Sequence, residues 1–335
     1  MTFSRPKSIW MYVIFLTGIV ILLSASNVIQ PLPSGEKETN RIIISTDIGG
    51  DDPDDFQSMV HLMMYADRFD IEGLISSPPG KGRKSDIDTV IDLYAKDYRY
   101  LSKASGGYPP PRALRKVSMQ GAVRPQAGET PDAFMSAGAA WIVKKAMEKS
   151  RQPLYILVWG SLTDVAQAVH NSPEIKKHIR IYSIGSWNTL QDPKARDYLY
   201  ENHPDLWWIE SNTTFRGMYL GGDQQGEWGN VAFVRKFVKD HGELGRFFFL
   251  EKPDIKMGDT PSVLYMLNGV PGNPEGESWG GSYVKTGHGN NYWSDNPDPL
   301  LRFDGKNGAR TVSKWRVEFL EDWATRMLKL PVQNL

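Results

Sequence analysis

The spacing of apolar positions along the chain predicts alternating strands and helices. Continuous apolar runs, typical of strands buried on both faces of a sheet, lie at residues 42–45, 71–75, 154–159, 179–184 and 247–250. Helical patterns lie between them, and the clearest places on one helix face Phe56, Met59, Val60, Met63 and Met64. This alternation predicts an α/β fold with a doubly wound, mostly parallel sheet and helices on both of its faces.

Two later segments have patterns of their own. Residues 269–304 are rich in Gly, Asn, Pro and Trp, and a loop of that length in a compact domain is usually functional or disordered. Their aromatic content favours a functional loop. Residues 312–328 have helical spacing, which predicts a packed final helix with one face formed by Trp315, Phe319, Trp323 and Met327.

Residues 1–26 have the pattern of an export signal. Arg5 and Lys7 precede an apolar run at residues 9–23, and small residues follow the run. The run is close to the ~20 apolar residues of a membrane-spanning helix, so both a cleaved signal peptide and an uncleaved membrane anchor stay open. We expect an exported protein, periplasmic or secreted, whose membrane contact, if any, is made through this segment.

Composition and charge narrow the class of protein. The 39 basic residues balance 39 acidic ones, so no net field attracts nucleic acid and we expect no nucleic-acid partner. The absence of cysteine excludes disulfides and thiolate metal sites. We assign residues 27–40 to a polar linker and residues 41–335 to one large catalytic domain, which is long enough to bury a full core. The oligomeric state stays open, a homo-oligomer included.

An aspartate-rich loop separates the first predicted strand from the first predicted helix. Gly49 and Gly50 allow a tight turn within it, and its five acidic residues are Asp47, Asp51, Asp52, Asp54 and Asp55. Carboxylates this close raise one another's pKa and destabilise the fold unless a cation compensates, which indicates a divalent metal site. The turn is expected to bring the first aspartate to face the last two.

The ligand type narrows the choice of ion. Carboxylate oxygens suit Ca²⁺ or Mg²⁺ and disfavour Zn²⁺, and an irregular loop suits the loose geometry of Ca²⁺ better than the strict octahedron of Mg²⁺. The alternative is that the aspartates only cap the helix and complement its dipole, at ~0.3–1 kcal/mol each. Five carboxylates exceed that need. Whether Asp51 or Asp52 joins the metal site stays open.

The loop resembles the metal-binding signature of the nucleoside hydrolase superfamily. In this resemblance Asp47 matches the first aspartate, and Asp54 and Asp55 match the aspartate pair at the helix start. Residues 46–48, 53–58 and 69–75 are similar to an exported nucleoside-hydrolase-like branch that is named after a cellulose-binding protein. The resemblance implies a nucleoside-hydrolase-like, Rossmann-like domain.

Three further segments extend the resemblance. Residues 157–164 are similar to a turn in which a backbone carbonyl completes the metal shell, and Trp159 would supply that carbonyl. Asp259 matches the last metal aspartate of the family, although without the resemblance it has the pattern of an ordinary helix N-cap. Glu210 and Asn212 loosely match a Glu-x-Asn that holds sugar hydroxyls.

Other residues are candidates for substrate contacts. Asn188 follows a predicted strand and could meet a sugar hydroxyl, with loop packing as the alternative. Family members often place a histidine beside the last aspartate, where this chain has Gly258. His288 could replace that histidine only if its loop folds over the site, and the alternative is a solvated surface residue. Aromatic rings suit sugar faces but also fill cores, and the candidates are Trp187, Trp279, Tyr292 and Trp293.

The resemblance implies a metal-dependent hydrolase of N-glycosyl compounds, either nucleosides or related sugar conjugates. Asp47 would activate a cation-bound water as the general base, while Asp54, Asp55 and Asp259 would hold the cation. The alternative is a non-catalytic carbohydrate-binding protein of the cell envelope that retains a structural metal site. The missing histidine and the Trp-rich segment favour that alternative. The partner in both cases is a small sugar conjugate or a glycan.

Overall fold

The computed structural model describes residues 1–2, 39–50 and 52–333. The chain divides into two units, Met1–Glu38 and Thr39–Leu335. The predicted export signal and nearly all of the predicted linker lie outside the described residues. None of the helices in the described ranges has the length and apolarity that a membrane span requires.

The described part of the chain contains one sheet of eight strands. Their order is β3-β2-β1-β4-β5-β6-β8-β7, and all neighbours are parallel except the edge pair β7 and β8. This confirms the prediction of a doubly wound, mostly parallel sheet. The bounds are β1 (Asn40–Thr46), β2 (Phe69–Ser76), β3 (Ser118–Gln120), β4 (Leu154–Val158), β5 (Ile179–Ile184), β6 (Trp208–Ser211), β7 (Tyr283–Lys285) and β8 (Tyr292–Asp295).

Helices cover both faces of the sheet. One face packs against α1, α2, α9, α10 and α12, and the other packs against α4, α5 and α7. The bounds are α1 (Asp54–Met64), α2 (Lys84–Ala104), α3 (Pro111–Lys116), α4 (Ala137–Met147), α5 (Thr163–Asn171), α6 (Trp187–Gln191), α7 (Pro193–Asn202), α8 (Asn230–Phe233), α9 (Gly242–Glu251), α10 (Thr260–Asn268), α11 (Ala309–Ser313) and α12 (Arg316–Met327).

The central strands are apolar on both sides because each side faces a core. In β1, Ile42 and Ile44 belong to the core under α1, whereas Ile43 belongs to the core under α4 and α5. All three side chains are fully buried. A strand with helices on both faces therefore needs no polar positions, which explains why its sequence does not alternate.

The strand order reverses at the centre of the sheet. From β1 the chain moves outward through β2 and β3, and it then returns to place β4 on the other side of β1. In doubly wound sheets, ligands bind beyond the carboxyl ends of the strands at such a reversal. The ends of β1 and β4 are therefore the expected place for a functional site.

One strand prediction is wrong. Residues 247–250 lie within α9, where Phe248 is fully buried and Leu250 is 66% exposed. A run of four apolar residues does not distinguish a buried strand from one turn of a helix, and the neighbouring structure decides between them. The final helix is confirmed as α12, with Phe319, Trp323 and Met327 buried.

The segment at residues 269–304 is not one long loop. It contains β7 and β8, which extend the sheet beyond β6. Its aromatic residues pack into the fold: Tyr292 and Trp293 are 5% and 8% exposed, and Trp279 packs against the core. The glycines and prolines therefore serve turns around two short strands.

Candidate active site

Asp47 and Trp159 are the first residues beyond two adjacent parallel strands. β1 ends at Thr46 and β4 ends at Val158. The amide of Trp159 donates a hydrogen bond of 2.7 Å to the carbonyl of Ser45, so the two chain segments stay paired as they leave the sheet. Both residues therefore lie where the strand order reverses.

Three aspartates converge beside Asp47. Asp54 and Asp55 lie in the first turn of α1, and Asp259 directly precedes α10. One carboxylate oxygen from each of these three residues lies within 4.8 Å of the others. A single cation with bonds of ~2.3–2.6 Å can touch oxygens at that separation. The carboxyl of Asp47 hydrogen bonds to that of Asp55, which joins it to the same group.

Gln57 explains how Asp259 reaches α1 from a distant part of the sequence. Its buried side-chain amide donates hydrogen bonds to the carbonyls of Lys252 (3.1 Å) and Asp254 (2.9 Å). Its oxygen accepts from the amides of Lys256 (2.9 Å) and Met257 (3.2 Å). The segment before α10 is therefore bound to the first turn of α1.

The cluster fits a divalent cation better than a set of helix caps. Asp259 occupies the N-cap position of α10, yet its side chain makes no capping hydrogen bond. Its Oδ2 atom is buried and has no hydrogen-bond partner among the described residues. A buried carboxylate oxygen without a partner is costly unless a cation satisfies it. The ligand set is all oxygen, as Ca²⁺ and Mg²⁺ prefer.

Burial raises the pKa of all four carboxyl groups. The pKa of Asp47 rises to about 7, chiefly because the group is buried and further because Asp54 is close. The pKa values of Asp54, Asp55 and Asp259 are well above the usual range, first through burial and then through the neighbouring carboxylates. The cluster therefore retains protons near neutral pH unless a cation replaces them.

Asp52 lies at the edge of this cluster and has its own cationic partner. Its Oδ2 atom forms an ion pair with Nζ of Lys256, and its Oδ1 atom accepts a hydrogen bond of 3.3 Å from the amide of Asp54. Asp51 lies outside the described residues. The geometry therefore assigns Asp52 to the rim, paired with Lys256.

A cavity of about 400 Å³ opens beside the carboxylates. That volume is suited to a small ligand. The four aspartates line it, and Trp187, which is 65% exposed, also contributes to the lining. Its other lining residues include Trp159, Asn188, Phe215, Arg216, Tyr219 and Lys256.

Trp159 and Asn188 form one unit of the cavity wall. The indole of Trp159 is buried, and its Nε1 donates a hydrogen bond of 2.8 Å to Oγ of Ser262. The carbonyl of Trp159 accepts a hydrogen bond of 2.5 Å from Nδ2 of Asn188, which also donates to the carbonyl of Ile184 at 3.1 Å. A carbonyl oxygen has two lone pairs, so that of Trp159 retains one for a cation.

The expected sugar contacts Glu210 and Asn212 do not line the cavity in the described part of the chain. Both oxygens of Glu210 accept hydrogen bonds from the guanidinium of Arg196, at 3.0 and 2.9 Å, and the carboxylate is buried. Oδ1 of Asn212 accepts a hydrogen bond of 2.9 Å from the amide of Ser186. Both residues therefore bind other parts of the protein at the carboxyl ends of the strands. The expectation that they contact the sugar directly is corrected.

His288 and Trp293 are also placed away from the cavity lining, as far as the described residues define it. The imidazole of His288 stacks on Tyr200, with ring centroids 3.6 Å apart. Trp293 packs against Trp207, with centroids 5.0 Å apart. The loop of His288 does not fold over the aspartates, and of the four aromatic candidates only Trp187 lines the cavity.

Sequence reasoning missed the basic and aromatic part of the cavity. Phe215, Arg216 and Tyr219 lie on or beside the 3₁₀ turn Thr214–Met218, which follows β6. Their only signal in the sequence is their position shortly after a strand, and that strand was not predicted. Gln57 carried no signal either, because all of its partners come from residues 252–257.

Residues 41–283, well over half of the chain, match the family described as "Cellulose-binding Sde182, nucleoside hydrolase-like domain". A comparison with curated protein sequences finds no match.

Solved structures of similar fold include a nucleoside hydrolase-related protein from Saccharophagus degradans that is associated with carbohydrate metabolism. It is 24% identical with a TM-score of 0.68, covering 87% of this chain and 72% of that one. An inosine-guanosine nucleoside hydrolase is 15% identical with a TM-score of 0.54, covering 88% and 100%. A plant nucleoside hydrolase is 14% identical with a TM-score of 0.50, covering 87% and 99%. These likenesses show a nucleoside hydrolase-like fold.

Chelation of divalent cations is expected to lower the melting temperature more at about pH 8 than at about pH 5.5. The folded pKa of Asp47, about 7, lies above its ordinary value of 3.8. The protonated carboxyls therefore stabilise the cation-free fold at low pH, and this stability is lost as the pH rises through the folded pKa values. A cation compensates for the charge, so its contribution grows with pH.

The measurement is the melting temperature with Ca²⁺ and with chelator at both pH values. Asp259→Asn should remove most of the Ca²⁺-dependent difference, whereas Asp132→Asn, at an exposed position, should leave it unchanged. An equal Ca²⁺-dependent difference in wild type and Asp259→Asn would show that the ion binds elsewhere.

Gly160→Ala is expected to weaken Ca²⁺ binding by about tenfold and to lower the melting temperature. A Cβ atom at position 160 would lie 2.9 Å from the amide nitrogen of Asp47 and 2.9 Å from the carbonyl of Pro78. Both neighbours are backbone atoms, so the end of β1 has to move and Asp47 moves with it.

Calorimetric titration with Ca²⁺ measures this effect. Gly106→Ala is the matched control, because a Cβ atom there meets no heavy atom of the described residues within 4 Å. Wild-type Ca²⁺ affinity in Gly160→Ala would show that the approach of β4 to Asp47 does not position the cluster.

Proposed function

This chain belongs to the Sde182 nucleoside hydrolase-like family, and we propose that it is a metal-dependent hydrolase of N-glycosyl compounds. Its substrate would be a nucleoside or a related sugar conjugate. The observation that carries the proposal is the group of four carboxyls, of which Asp55 and Asp259 are buried and Asp47 and Asp54 are partly buried, in a cavity where the strand order reverses. The association of the Saccharophagus degradans relative with carbohydrate metabolism supports a sugar-containing substrate.

Asp54, Asp55 and Asp259 would hold the cation, together with Asp47 and the carbonyl of Trp159. Ca²⁺ is the ion we propose, because several carboxylates at the ends of irregular loops suit its variable coordination. Such a cation, when bound, lowers the pKa of a water molecule and orients the hydroxyls of a sugar. Two acceptors support this assignment. The carbonyl oxygen of Trp159 has a second lone pair beside its hydrogen bond to Asn188, and Oδ2 of Asp259 has no hydrogen-bond partner among the described residues.

Asp47 would act as the general base. Its carboxyl lines the cavity at the end of β1 and is held by its hydrogen bond to Asp55. It would accept a proton from water as the water oxygen bonds to the anomeric carbon and the C–N bond breaks. The electron pair of that bond passes to the leaving nitrogen. Because no histidine lines the cavity in the described chain, we expect turnover to favour leaving groups that are stable without a histidine acid.

A carbohydrate-binding role is the second candidate. The family is named after the cellulose-binding protein Sde182, and Trp187 presents an indole that is 65% exposed at the cavity. An exposed indole beside a cavity suits the C–H face of a sugar ring. In this case the cation would stabilise the site without chemistry.

We also propose that the protein is exported. The support is the basic residues Arg5 and Lys7 before the apolar run at residues 9–23. An exported protein would meet the millimolar Ca²⁺ concentrations that occupy extracellular sites of modest affinity.

Asp47→Asn is expected to lower kcat by about 10²- to 10⁴-fold, the usual contribution of a general base. At saturating Ca²⁺ the amide retains an oxygen for the ion but cannot take a proton, so sugar affinity should stay near that of wild type. The measurement is release of free base or free sugar from a panel of nucleosides and N-glycosides with leaving groups of graded basicity.

The matched control is Asp132→Asn, which makes the same chemical change at an exposed site and should retain full turnover. Equal turnover by Asp47→Asn and wild type would exclude Asp47 as the base. A wild-type protein that binds Ca²⁺ and sugar yet releases no product across the panel would favour the carbohydrate-binding role.

A further inference from the structure

Arg216 brings a positive charge into the cavity that contains the aspartate cluster. It lies in the 3₁₀ turn Thr214–Met218 and lines the cavity together with Phe215 and Tyr219. Its guanidinium lies over the ring of Phe215, with Cζ 5.0 Å from the ring centroid. A guanidinium stacked on an aromatic ring is held in one plane, and its edge is left to bind a ligand.

The protein itself uses little of the hydrogen-bonding capacity of Arg216. Nη1 donates a hydrogen bond of 3.1 Å to Oη of Tyr219, and Nη2 donates one of 3.2 Å to Oγ of Ser186. The Nε atom is buried and has no acceptor within the described ranges. A guanidinium has five N–H donors, so two bonds to neutral hydroxyls leave most of its donors free.

Four other arginines that are shielded from solvent in this protein are fully engaged. Arg41, Arg196 and Arg326 each form an ion pair with a carboxylate. Arg316 directs Nε, Nη1 and Nη2 to three oxygen acceptors at 2.7–3.0 Å. Arg216 differs from these four, because no carboxylate of the described residues lies within ion-pair distance of it. Arg180 also has no carboxylate partner among the described residues, but it does not line the cavity. A guanidinium in a cavity that has no such partner is suited to binding an anionic ligand.

The aspartate cluster does not supply that partner. It shares the cavity with Arg216, yet none of its oxygens forms an ion pair with the guanidinium in the described structure. The basic residue that does pair with this acidic region is Lys256, through Asp52. The cavity therefore has a separate cationic position beside its cation-binding one.

We propose that Arg216 binds an oxyanion carried by the substrate, so that the substrate is an acidic sugar conjugate bearing a carboxylate or a phosphate. The inference rests on the proposed function for the place of the sugar, which the aspartate cluster and its cation would hold. The cavity of about 400 Å³ accommodates a sugar ring and an attached anionic group. The planar fork of arginine suits either anion, since both present two oxygens side by side.

A purely structural role for Arg216 is the competing explanation. Its two hydrogen bonds reach Ser186, which has a positive φ of 60°, and Tyr219 at the cavity wall. An arginine that only held this wall would affect stability and all ligands alike. It would not make the protein distinguish an acidic sugar from its neutral counterpart.

Calorimetric titration of the full chain at saturating Ca²⁺ with two matched pairs of sugars tests the proposal. The pairs are ribose 5-phosphate with ribose and glucuronate with glucose. We expect wild type to bind the acidic member of at least one pair about tenfold or more tightly. Arg216→Met should bind both members of that pair equally, with its affinity for the neutral sugar and for Ca²⁺ unchanged.

Two further variants keep the test decisive. Arg216→Gln retains a donor for Ser186 while losing the charge, so it should also lose the preference if Arg216→Met does not fold. Arg246→Met removes an exposed arginine on α9 and should behave as wild type. A preference for the phosphate pair alone would identify a sugar phosphate, and a preference for glucuronate alone would identify a uronate.

Equal affinities within both pairs in wild type, or a preference that survives in a folded Arg216 variant, would overturn the oxyanion site. Its failure is distinguishable from that of the hydrolase. A protein that cleaves no N-glycosyl bond but retains an Arg216-dependent preference is not a hydrolase and still has the oxyanion site. An active hydrolase without any preference keeps its proposed activity and loses the oxyanion site.

Discussion

Four carboxyl groups, two of them buried and two partly buried, lie close together and impose the main physical constraint on this protein. Like charges repel strongly in a medium of low dielectric constant, so ionising the whole cluster without a cation opposes folding. Asp47, Asp54, Asp55 and Asp259 all have pKa values raised by burial, which is the same penalty expressed as retained protons. The surrounding fold has to hold these groups together against that repulsion.

The rest of the architecture provides this restraint from two directions. The apolar strands β1 and β4 run side by side through the centre of the molecule, and their ends place Asp47 next to Trp159. Gln57 then binds the segment before α10 to α1, and Oγ1 of Thr260 lies 3.1 Å from Oγ of Ser58 across the same junction. The cluster is thus positioned by a packed sheet on one side and by buried polar contacts on the other.

Local features of the site could be predicted from the sequence, while long-range ones could not. Asp47, Asp54 and Asp55 are close in the chain, and a glycine turn between a strand and a helix is enough to suggest that they meet. Asp259 required the family resemblance, because its pattern alone is that of a helix cap. Glu210 matched a motif only loosely, and its pairing with Arg196 depends on how α7 packs beside β6.

The length of an apolar run determines which strands can be predicted from the sequence. The central strands are continuous apolar runs, and these were found, whereas β3, β6, β7 and β8 have three or four residues each and carry too little pattern to detect. The run at residues 247–250 was equally apolar but belongs to a helix with one buried face. Arg216 could not be predicted from the sequence, because it is distinguished by lining the cavity without a carboxylate partner among the described residues. Only the tertiary structure shows this.

The contacts of Gln57 have a consequence for how the protein folds. They join α1 to a segment roughly 200 residues later in the chain, and a connection of that length is slow to form because the intervening loop has to close first. Asp259 therefore meets Asp54 and Asp55 only when these distant parts of the chain are packed together. An ion bound by all four carboxylates would link the two ends of that long loop. It would slow unfolding more than it would speed folding.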